Sequence, residues 1–324
     1  MRAVVLHGEV AEGAGRDEQD ALVQAGGVSR ALAEQGCEPV VVPVSLDFTG
    51  LVRRLHALHP DFAFNLVESL AGQGRLIHMV PSLLDYLALP YTGAGTEAMF
   101  LTSNKLLAKR ILRLNGLDTP AWVTPGGSAV GSFVPGLYIV KSVWEHASIG
   151  LDEDAVMPAE RETDLRTALA SRRDGPAGEC FAEAFIEGRE FNLSLLAGPK
   201  GPEVLPHAEI RFEDYPPGKV RVVGYRAKWR EDSFEYRHTC RSFDFPADDS
   251  PLLNRLAEAA LKCWRLFSLK GYARVDFRVD PSGRPWILEV NTNPCLSPDA
   301  GFHAAAERAG LTFNRVIRRI VDDR

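Results

Sequence analysis

A hairpin signature near the C-terminus constrains the fold of this chain more than any other segment. The residues Asp280-Pro281-Ser282-Gly283 separate two runs of alternating side-chain character, Tyr272–Val279 and Arg284–Asn291. These four residues are typical of a tight turn, and a period of two in side-chain polarity is typical of strands. The sequence therefore predicts an antiparallel β-hairpin at this position.

The register expected for this hairpin gathers polar side chains on one face. If residue 279 faces residue 284, then residue 274 faces 289 and residue 276 faces 287. One face would contain Arg274, Asp276, Ile287, Glu289 and Asn291, and the other Val275, Phe277, Leu288 and Val290. Glu289 would then be a diagonal neighbour of Asp276, about 5–7 Å away.

The polar face of the hairpin could hold a divalent cation. Asp276 and Glu289 supply carboxylate oxygens and Asn291 supplies an amide oxygen, and Mg²⁺ prefers oxygen ligands at about 2.0–2.1 Å. A sheet face with a salt bridge to Arg274 is the alternative. Asn291 favours the metal site, because a salt bridge does not require an additional amide oxygen.

Three separated lysines could contact the phosphate groups of a nucleotide, although each could also be a solvated surface residue. Lys105 begins a predicted helix, Lys141 ends the apolar run LYIVK, and Lys228 lies in GYRAKW. The loop WEHASIG at 144–150 follows Lys141 and could direct backbone N–H groups at phosphate oxygens. An ordinary hairpin loop is the alternative.

The segment FAEAFIEGREFNLSLLAG could form another side of a nucleotide site. Glu183, Phe185 and Ile186 lie at the end of a predicted strand, where exposed backbone could bind an adenine edge. Glu190 follows and could bind ribose hydroxyls. A strand–turn–strand unit with charged turn residues explains the same pattern equally well.

The order of predicted elements indicates an α/β region followed by α+β regions. In the first third, strands and helices alternate as in a parallel sheet covered by helices. The elements expected there are Ala3–Leu6, Asp17–Gln35, Pro39–Val44, Leu51–Leu58, Phe62–Leu66, Gln73–Leu87 and Asn104–Asn115. Later expected elements are the strands Leu137–Lys141, Cys180–Phe185 and Phe191–Leu196, an irregular Arg-rich stretch (Glu209–Phe245) and the helix Leu252–Phe267.

Composition and charge argue against several classes of protein. The 324 residues include 37 Lys and Arg against 43 Asp and Glu, and the net charge of −6 disfavours a general nucleic-acid binder. No run approaches the ~18 apolar residues of a membrane span. The five cysteines form no C-x-x-C pair, which indicates a reducing, cytoplasmic compartment rather than a disulfide framework.

Four sequence blocks resemble the ATP-grasp superfamily and, within it, the D-alanine–D-alanine ligases. They are LTSNKLLAKRILRLNGLDTPAWV, YIVKSVWEHASIG, FAEAFIEGREFNLSLLAG and GYARVDFRVDPSGRPWILEVNTNP. The order and spacing of these blocks is more specific than any single lysine, and the resemblance covers nearly the whole chain.

The resemblance implies a three-domain ATP-grasp fold with α/β and α+β parts and an N-terminal parallel-sheet domain. The expected boundaries are 1–101 for the N-terminal domain, 102–193 for the central domain and 194–324 for the C-terminal domain with the metal site. ATP would bind between the last two domains. A homodimer that acts on a small-molecule carboxylate and amine, without nucleic acid or membrane, is expected.

The resemblance also implies roles for individual residues. Those expected around ATP are Lys105, Lys141, Glu183, Phe185, Ile186, Glu190 and Lys228. Asp276, Glu289 and Asn291 would hold two Mg²⁺ ions, which Mn²⁺ could replace, with Glu289 bridging them. The catalytic residues would be Arg274, Ser148 and Lys228, and Arg274 would face the reacting carboxyl group.

The substrate end departs from the pattern of D-alanine ligases. Ala300 replaces a serine of the family, Asp299 adds a negative charge, and Trp229 replaces the usual tyrosine. Further substrate candidates are Asp17, Glu18, Glu68 and Cys295.

We therefore expect an amide-forming ligase that works through an acyl phosphate and whose second substrate is not D-alanine. Three alternatives stay open at this level. The protein could be an authentic D-alanine–D-alanine ligase, or a nucleotide-binding regulator without turnover. It could also be a nicotinamide-dependent oxidoreductase on a Rossmann-like N-terminal domain.

Overall fold

Three β-sheets organise the chain. The computed structural model describes residues 1–11, 13–127, 129–145, 151–172 and 178–324. In these ranges the strands are β1 (Arg2–Gly8), β2 (Glu38–Val44), β3 (Phe62–Asn65), β4 (Trp122–Val123), β5 (Gly136–Ser142), β6 (Val156–Ala159), β7 (Cys180–Ala184), β8 (Arg189–Leu196), β9 (Glu203–Val204), β10 (Ala208–Phe212), β11 (Thr239–Ser242), β12 (Tyr272–Val279) and β13 (Pro285–Asn291). The helices are α1 (Arg16–Glu34), α2 (Phe48–Leu58), α3 (Met79–Tyr86), α4 (Thr96–Ser103), α5 (Lys105–Leu114), α6 (Glu162–Ser171), α7 (Tyr225–Trp229), α8 (Phe234–His238), α9 (Ser250–Leu266), α10 (Gly301–Arg308) and α11 (Phe313–Asp322).

The N-terminal sheet is parallel and covered on both faces. Its strand order is β2-β1-β3. Ala3 and Val5 pack against α1, α10 and α11, whereas Val4 and Leu6 pack against α2 and α3. Because both faces of β1 are buried, its sequence is a continuous apolar run rather than an alternating one. The predicted α/β beginning of the chain is confirmed.

The four-stranded sheet is antiparallel, with the order β4-β7-β5-β6. Val140 and Ala182 pack with Leu165 and Leu169 of α6 on one face. Side chains alternate along the strands, so Ile139, Lys141 and Glu183 lie on the opposite face and line a cavity.

The six-stranded sheet is antiparallel and also has one apolar and one polar face. Its order is β11-β10-β8-β12-β13, with β9 beside β8. Val275 and Phe277 of β12 lie in a core with residues of α4, α5 and α9. The intervening residues Arg274, Asp276 and Arg278 line the cavity. Helices therefore support this sheet from behind while its front face carries polar side chains.

The predicted hairpin between β12 and β13 is confirmed, but its predicted register is wrong. Val279 faces Pro285 rather than residue 284, and a bulge leaves Leu288 without a partner residue in β12, so that Asp276 faces Glu289 directly. Ile287 is buried in the core and Leu288 lines the cavity, which reverses the faces expected for them. A β-bulge inserts one extra residue into a strand, and a turn sequence does not reveal it.

The side chain of Asp280 fixes the turn of this hairpin. Its carboxylate accepts hydrogen bonds from the backbone N–H of Ser282 (2.9 Å), the backbone N–H of Arg284 (3.0 Å) and Nε1 of Trp286 (2.9 Å). Burial alone would raise the pKa of Asp280, but the hydroxyl of Ser282, which also donates to this carboxylate (2.6 Å), and the three donors above lower it to about 2. Gly283 has a φ of 82°, a conformation that favours glycine.

The structure contains elements that the sequence did not predict, among them the short strands β4, β6 and β9. Thr96–Ser103 forms α4, and the Arg-rich stretch expected to be irregular contains β10, α7, α8 and β11. Since β8 lies wholly within the six-stranded sheet, we propose that the third domain begins before Arg189 rather than at residue 194.

Candidate active site

A cavity of about 610 Å³ lies between the four-stranded and six-stranded sheets. The residues predicted for ATP, metal and catalysis that line it are Lys105, Lys141, Glu183, Phe185, Ile186, Glu190, Lys228, Arg274, Asp276, Glu289 and Asn291. The substrate candidates that line it are Glu68, Trp229, Cys295, Asp299 and Ala300. The structure thus brings together side chains from distant parts of the sequence around one space.

Three residues predicted from the sequence stand outside this set. Glu18 is exposed on α1 and is not among the residues that line the cavity, and its role in substrate binding stays a prediction. The side chain of Asp17 and the whole of Ser148, with the loop 146–150, lie outside the described residues. Asp20, one turn along α1 from Asp17, lines the cavity and was missed.

Asp276 and Glu289 are cross-strand neighbours in the cavity wall. Asn192 on β8 extends the same row and donates from Nδ2 to Oδ1 of Asp276 (2.8 Å), and Asn291 donates from Nδ2 to Oδ2 (3.1 Å). Oε1 of Glu289 lies 3.2 Å from Nζ of Lys105. The polar face is therefore an ordered network rather than a set of isolated carboxylates.

The donor set of this row fits Mg²⁺. Two carboxylates and an amide lie side by side, and Mg²⁺ uses one or two protein carboxylates together with water and substrate phosphates. Among the described residues, no group of three or more His, Cys, Asp or Glu side chains is placed to hold a metal ion. The site therefore suits a cation that binds together with a phosphate-bearing substrate, rather than a cage made of protein alone.

Arg274 is fixed beside this row by a bidentate ion pair. Its Nε lies 2.7 Å from Oδ1 of Asp276, and its Nη2 lies 2.8 Å from Oδ2. Burial alone would lower the pKa of Arg274, but Asp276 raises it above its ordinary value. The guanidinium is thus permanently charged and oriented, and the salt bridge considered as an alternative exists alongside the candidate metal ligands.

A buried ion-pair cluster supports the lysine side of the cavity. Glu183 is 1% exposed, and its carboxylate pairs with Lys109 (2.6 Å) and Lys141. Lys109, also 1% exposed, donates to the hydroxyl of Thr119 (2.6 Å). Burial alone would raise the pKa of Glu183, but the two lysines lower it, so the carboxylate is charged. Glu183 thereby holds Lys141 in place instead of pointing freely into the cavity.

Lys109 was missed in the sequence although a signal for it was present. It lies four residues after Lys105 on α5, so both side chains share one face of that helix. Lys105 donates to the backbone oxygen of Glu145 (2.6 Å) in addition to its ion pair with Glu289.

Glu190 is bound by a second residue that was missed, Arg278. Nε of Arg278 donates to Oε2 of Glu190 (2.9 Å), and its guanidinium lies 5.3 Å from the ring centre of Phe185. Arg278 is 3% exposed. Its position two residues after Asp276 on β12 places it on the polar face, which the period-two pattern could have indicated.

Lys228 is a further cation that lines the cavity. Within the described ranges, no hydrogen bond or ion pair engages its ammonium group. Burial lowers its pKa, and the neighbouring charge of Arg274 lowers it further, whereas the nearby carboxylates of Asp276, Glu289 and Glu190 raise it in part. Both lowering effects favour the binding of a negatively charged group nearby, because an anion would restore the ordinary stability of the protonated lysine.

The wall near Cys295 is acidic and internally bonded. Asp20 accepts hydrogen bonds from Sγ of Cys295 (3.0 Å) and from the hydroxyl of Ser297, and Gln24 bridges Asp20 (3.2 Å) and Glu68 (3.0 Å). Burial raises the pKa of the Cys295 thiol, and Glu68 and Asp20 raise it further. Cys295 is therefore a protonated hydrogen-bond donor rather than a reactive thiolate.

Comparison with known proteins gives a consistent result along the whole chain. The family model described as D-ala D-ala ligase C-terminus matches residues 135–322. The D-alanine–D-alanine ligase of Aquifex aeolicus is 31% identical over 324 residues, covering 99% of this chain and 100% of that protein. The D-alanine–D-alanine ligase of Chromohalobacter salexigens is 32% identical over 330 residues, covering 99% and 93% respectively.

Solved structures share the fold. The D-alanine–D-alanine ligase from Bacillus anthracis complexed with ATP matches with a TM-score of 0.74 at 23% identity, covering 100% of this chain and 97% of that chain. None of the helices in the described ranges has the length and apolar character to cross a bilayer. The match of the family model to more than half of the chain, together with these relatives, shows that the chain belongs to the D-alanine–D-alanine ligase family of ATP-dependent carbon–nitrogen ligases with the ATP-grasp fold.

Proposed function

We propose that the protein joins a carboxylate to an amine at the expense of ATP, with D-alanine as the first substrate to test in both positions. The observation that carries the proposal is the cavity itself, in which Asp276 and Glu289 lie beside Arg274 and the lysines Lys105 and Lys141. Relatives named D-alanine–D-alanine ligase match over nearly the full chain and favour D-alanine. The expectation of a second substrate other than D-alanine finds no support in those relatives.

The lysines would bind the phosphate groups of ATP. Lys141 is positioned by Glu183, Lys105 lies between Glu145 and Glu289, and burial together with the nearby Arg274 lowers the pKa of Lys228. We propose that the backbone at Phe185 and Ile186 contacts the adenine and that Glu190, held by Arg278, contacts the ribose. Positive side chains neutralise charge on a transferring phosphoryl group.

Asp276, Glu289 and Asn291 would hold the Mg²⁺ that accompanies ATP. When bound there, Mg²⁺ would neutralise charge on the phosphate oxygens. The number of ions stays a prediction. Asp276 accepts four hydrogen bonds from Arg274, Asn192 and Asn291, so its oxygens are already oriented towards the cavity side of β12.

The chemistry follows from the leaving groups. A carboxylate is a poor acylating agent because its leaving group would be oxide. Its oxygen therefore attacks the terminal phosphorus of ATP, the bond to ADP breaks, and the resulting acyl phosphate has phosphate as leaving group. The amine nitrogen then attacks the acyl carbon, phosphate departs, and the nitrogen loses a proton to solvent. Arg274 would stabilise the oxyanion of the tetrahedral intermediate.

A second candidate function is a ligase with another acceptor. Asp299 and Glu68 place negative charge at the cavity wall, and Ala300 contributes no hydroxyl. These residues favour an acceptor with a cationic side chain. D-alanine and cationic amino acids therefore belong in the same screen.

The decisive experiment is a phosphate-release screen over pairs of amino acids and amines with Mg-ATP, in which the mass of each product is measured. Amide product that depends on both substrates supports the proposal. ATP hydrolysis without such dependence would favour a regulatory nucleotide-binding protein. Thermal stabilisation by NADH and none by Mg-ATP would favour the oxidoreductase.

The homodimer implied by the resemblance stays a prediction. Light scattering coupled to size-exclusion chromatography would measure the molar mass in solution, and a monomer across the accessible concentration range would contradict it.

A further inference from the structure

Arg241 is a positively charged residue at the mouth of the cavity. The proposed chemistry assigns it no role. It lies on the edge strand β11, opposite Ile210 of β10, and both residues line the cavity. The residue is exposed, and no hydrogen bond or ion pair engages its guanidinium anywhere in the described part of the chain. An arginine facing a catalytic cavity without a protein acceptor has its donors available for a ligand.

The guanidinium of Arg241 lies against the wall formed by Asp299, Ala300 and Gly301. A Cβ atom added to Gly301 would lie 3.4 Å from Nη2, 3.6 Å from Nε and 3.7 Å from Cζ of Arg241. Gly301 is the first residue of α10, and the preceding Ala300 has no side chain that could cap the helix. Arg241 therefore stands beside backbone N–H groups that also favour an anion.

Charged neighbours of both signs act on Arg241 at this wall. Although Arg241 is exposed, the adjacent wall partly removes its guanidinium from solvent and so lowers its pKa, the charge of Arg274 lowers the pKa further, and Asp299 raises it in part. Two guanidinium groups that disfavour each other would both be stabilised by an anion between them. Asp299 compensates some of the charge, so its presence does not by itself exclude a carboxylate ligand.

We propose that Arg241 binds the carboxylate of the acceptor amino acid and so restricts the acceptor to amines that carry a free carboxylate. This inference rests on the proposed ligase function. Because Arg274 would stabilise the oxyanion, the acyl carbon would lie next to its guanidinium. The attacking amine would then approach this carbon from the wall formed by Asp299, Ala300 and Gly301. A guanidinium can bind a carboxylate through two parallel N–H···O bonds, which fixes the orientation of the acceptor as well as its position. The side chain of the acceptor is not restricted by this contact.

The test is a competition between an acid and its amide in one reaction. D-alanine is the donor with Mg-ATP, and equal concentrations of D-alanine and D-alaninamide compete as acceptors. If the screen selects another acceptor amino acid, that amino acid and its amide replace them. Mass spectrometry gives the ratio of the two products, and this ratio does not depend on the fraction of active enzyme.

The wild-type protein is expected to favour the acid. In Arg241→Met, this preference should fall by roughly ten- to a hundredfold, as for the loss of a charge-assisted hydrogen bond, while the KM for ATP changes little. Arg241→Lys keeps the charge but cannot form two parallel hydrogen bonds. Its ratio of acid product to amide product should therefore lie between those of the wild type and Arg241→Met. Arg230→Met, an exposed arginine outside the cavity lining, should keep the wild-type ratio.

Each outcome separates this inference from the function on which it rests. Wild-type product with an unchanged acid-to-amide ratio in Arg241→Met overturns the inference alone. A raised KM for ATP with an unchanged ratio would assign Arg241 to phosphate and also overturn it. Wild-type protein that forms no amide with any pair overturns the proposed function and this inference together. Since Arg241 has no described hydrogen bond to lose, the variant should fold, and Arg241→Lys provides the second measurement if it does not.

Discussion

Glu289 faces Asp276 across the hairpin because Leu288 bulges out of β13. Phe277 faces Ile287 in the core, so an unbulged strand would place Leu288 opposite Asp276 and Glu289 opposite the buried Val275. A shift of one residue moves every side chain to the other face of a strand. The single extra residue therefore moves the second carboxylate from the core side to the cavity side.

Glu289→Gln is expected to abolish turnover without unfolding the protein. The substitution keeps the shape of the side chain but removes the charge that would hold Mg²⁺ and that pairs with Lys105. Phosphate release should fall at least about a hundredfold, as when one electrostatic contribution to catalysis is lost. The exposed Glu187→Gln is the matched control. Near wild-type turnover in Glu289→Gln would contradict the assignment of the metal site.

Arg274→Met should lower kcat by roughly a hundredfold or more, because it removes the group proposed to stabilise the oxyanion. Steady-state kinetics should show little change in the KM for ATP. Arg274→Lys retains a charge but cannot form the bidentate pair with Asp276, so partial recovery of kcat is expected. A variant affected only in the KM for ATP would assign Arg274 to nucleotide binding instead.

Lys109→Met should destabilise the fold by about 3 kcal/mol, because it leaves the buried carboxylate of Glu183 with one cation in place of two. Chemical denaturation monitored by circular dichroism measures this free energy of unfolding. Lys262→Met on the exposed side of α9 is the control and should have little effect. Equal stability of the two variants would show that the cluster around Glu183 does not require Lys109.

Cys295 should react slowly with iodoacetamide in the folded protein, since burial, Glu68 and Asp20 raise the pKa of its thiol. Mass spectrometry of peptides after brief alkylation should show labelling at least about tenfold slower than in the unfolded chain. Asp20→Asn removes a negative charge that raises the pKa of the thiol and should accelerate labelling. Equal rates in the folded and unfolded chains would indicate an exposed or ionised thiol.

Asp280 should make the stability of the hairpin depend on acid pH. Its pKa is lowered to about 2 in the folded chain, below the ordinary aspartate value of about 3.9. A lowered pKa contributes stability that is complete above about pH 4 and is lost as the pH falls towards 2. Melting temperatures of wild type and Asp280→Asn should therefore differ at neutral pH and converge in that interval. A difference that persists unchanged at pH 2 would contradict the role of the charged carboxylate.

Much of the fold could be predicted because its signals are local. The apolar run of β1, the alternation along β12 and the turn residues Asp280 to Gly283 each act within a few residues of chain. Most of the site residues predicted from the four blocks that resemble the ATP-grasp superfamily line the cavity. These residues could be assigned to one site from the order of the blocks alone, without knowledge of the distances between them.

The remainder depended on contacts between segments far apart in the chain. Asp20 meets Cys295 and Ser297, and Lys109 meets Glu183, only after helices and sheets have packed. The position of Glu18 outside the cavity lining likewise depends on the partners of its helix, here β1, α10 and α11.

The sequence alone determined which strands alternate, where the chain turns and which chemical groups are available. The tertiary structure decided the bulge at Leu288, the buried pairing of Lys109 with Glu183 and the position of Arg241 beside Gly301. The physical reason is that periodicity and turn preference are properties of neighbouring residues. Register and charge pairing instead depend on which side chains the packed core buries and on which partners burial makes necessary.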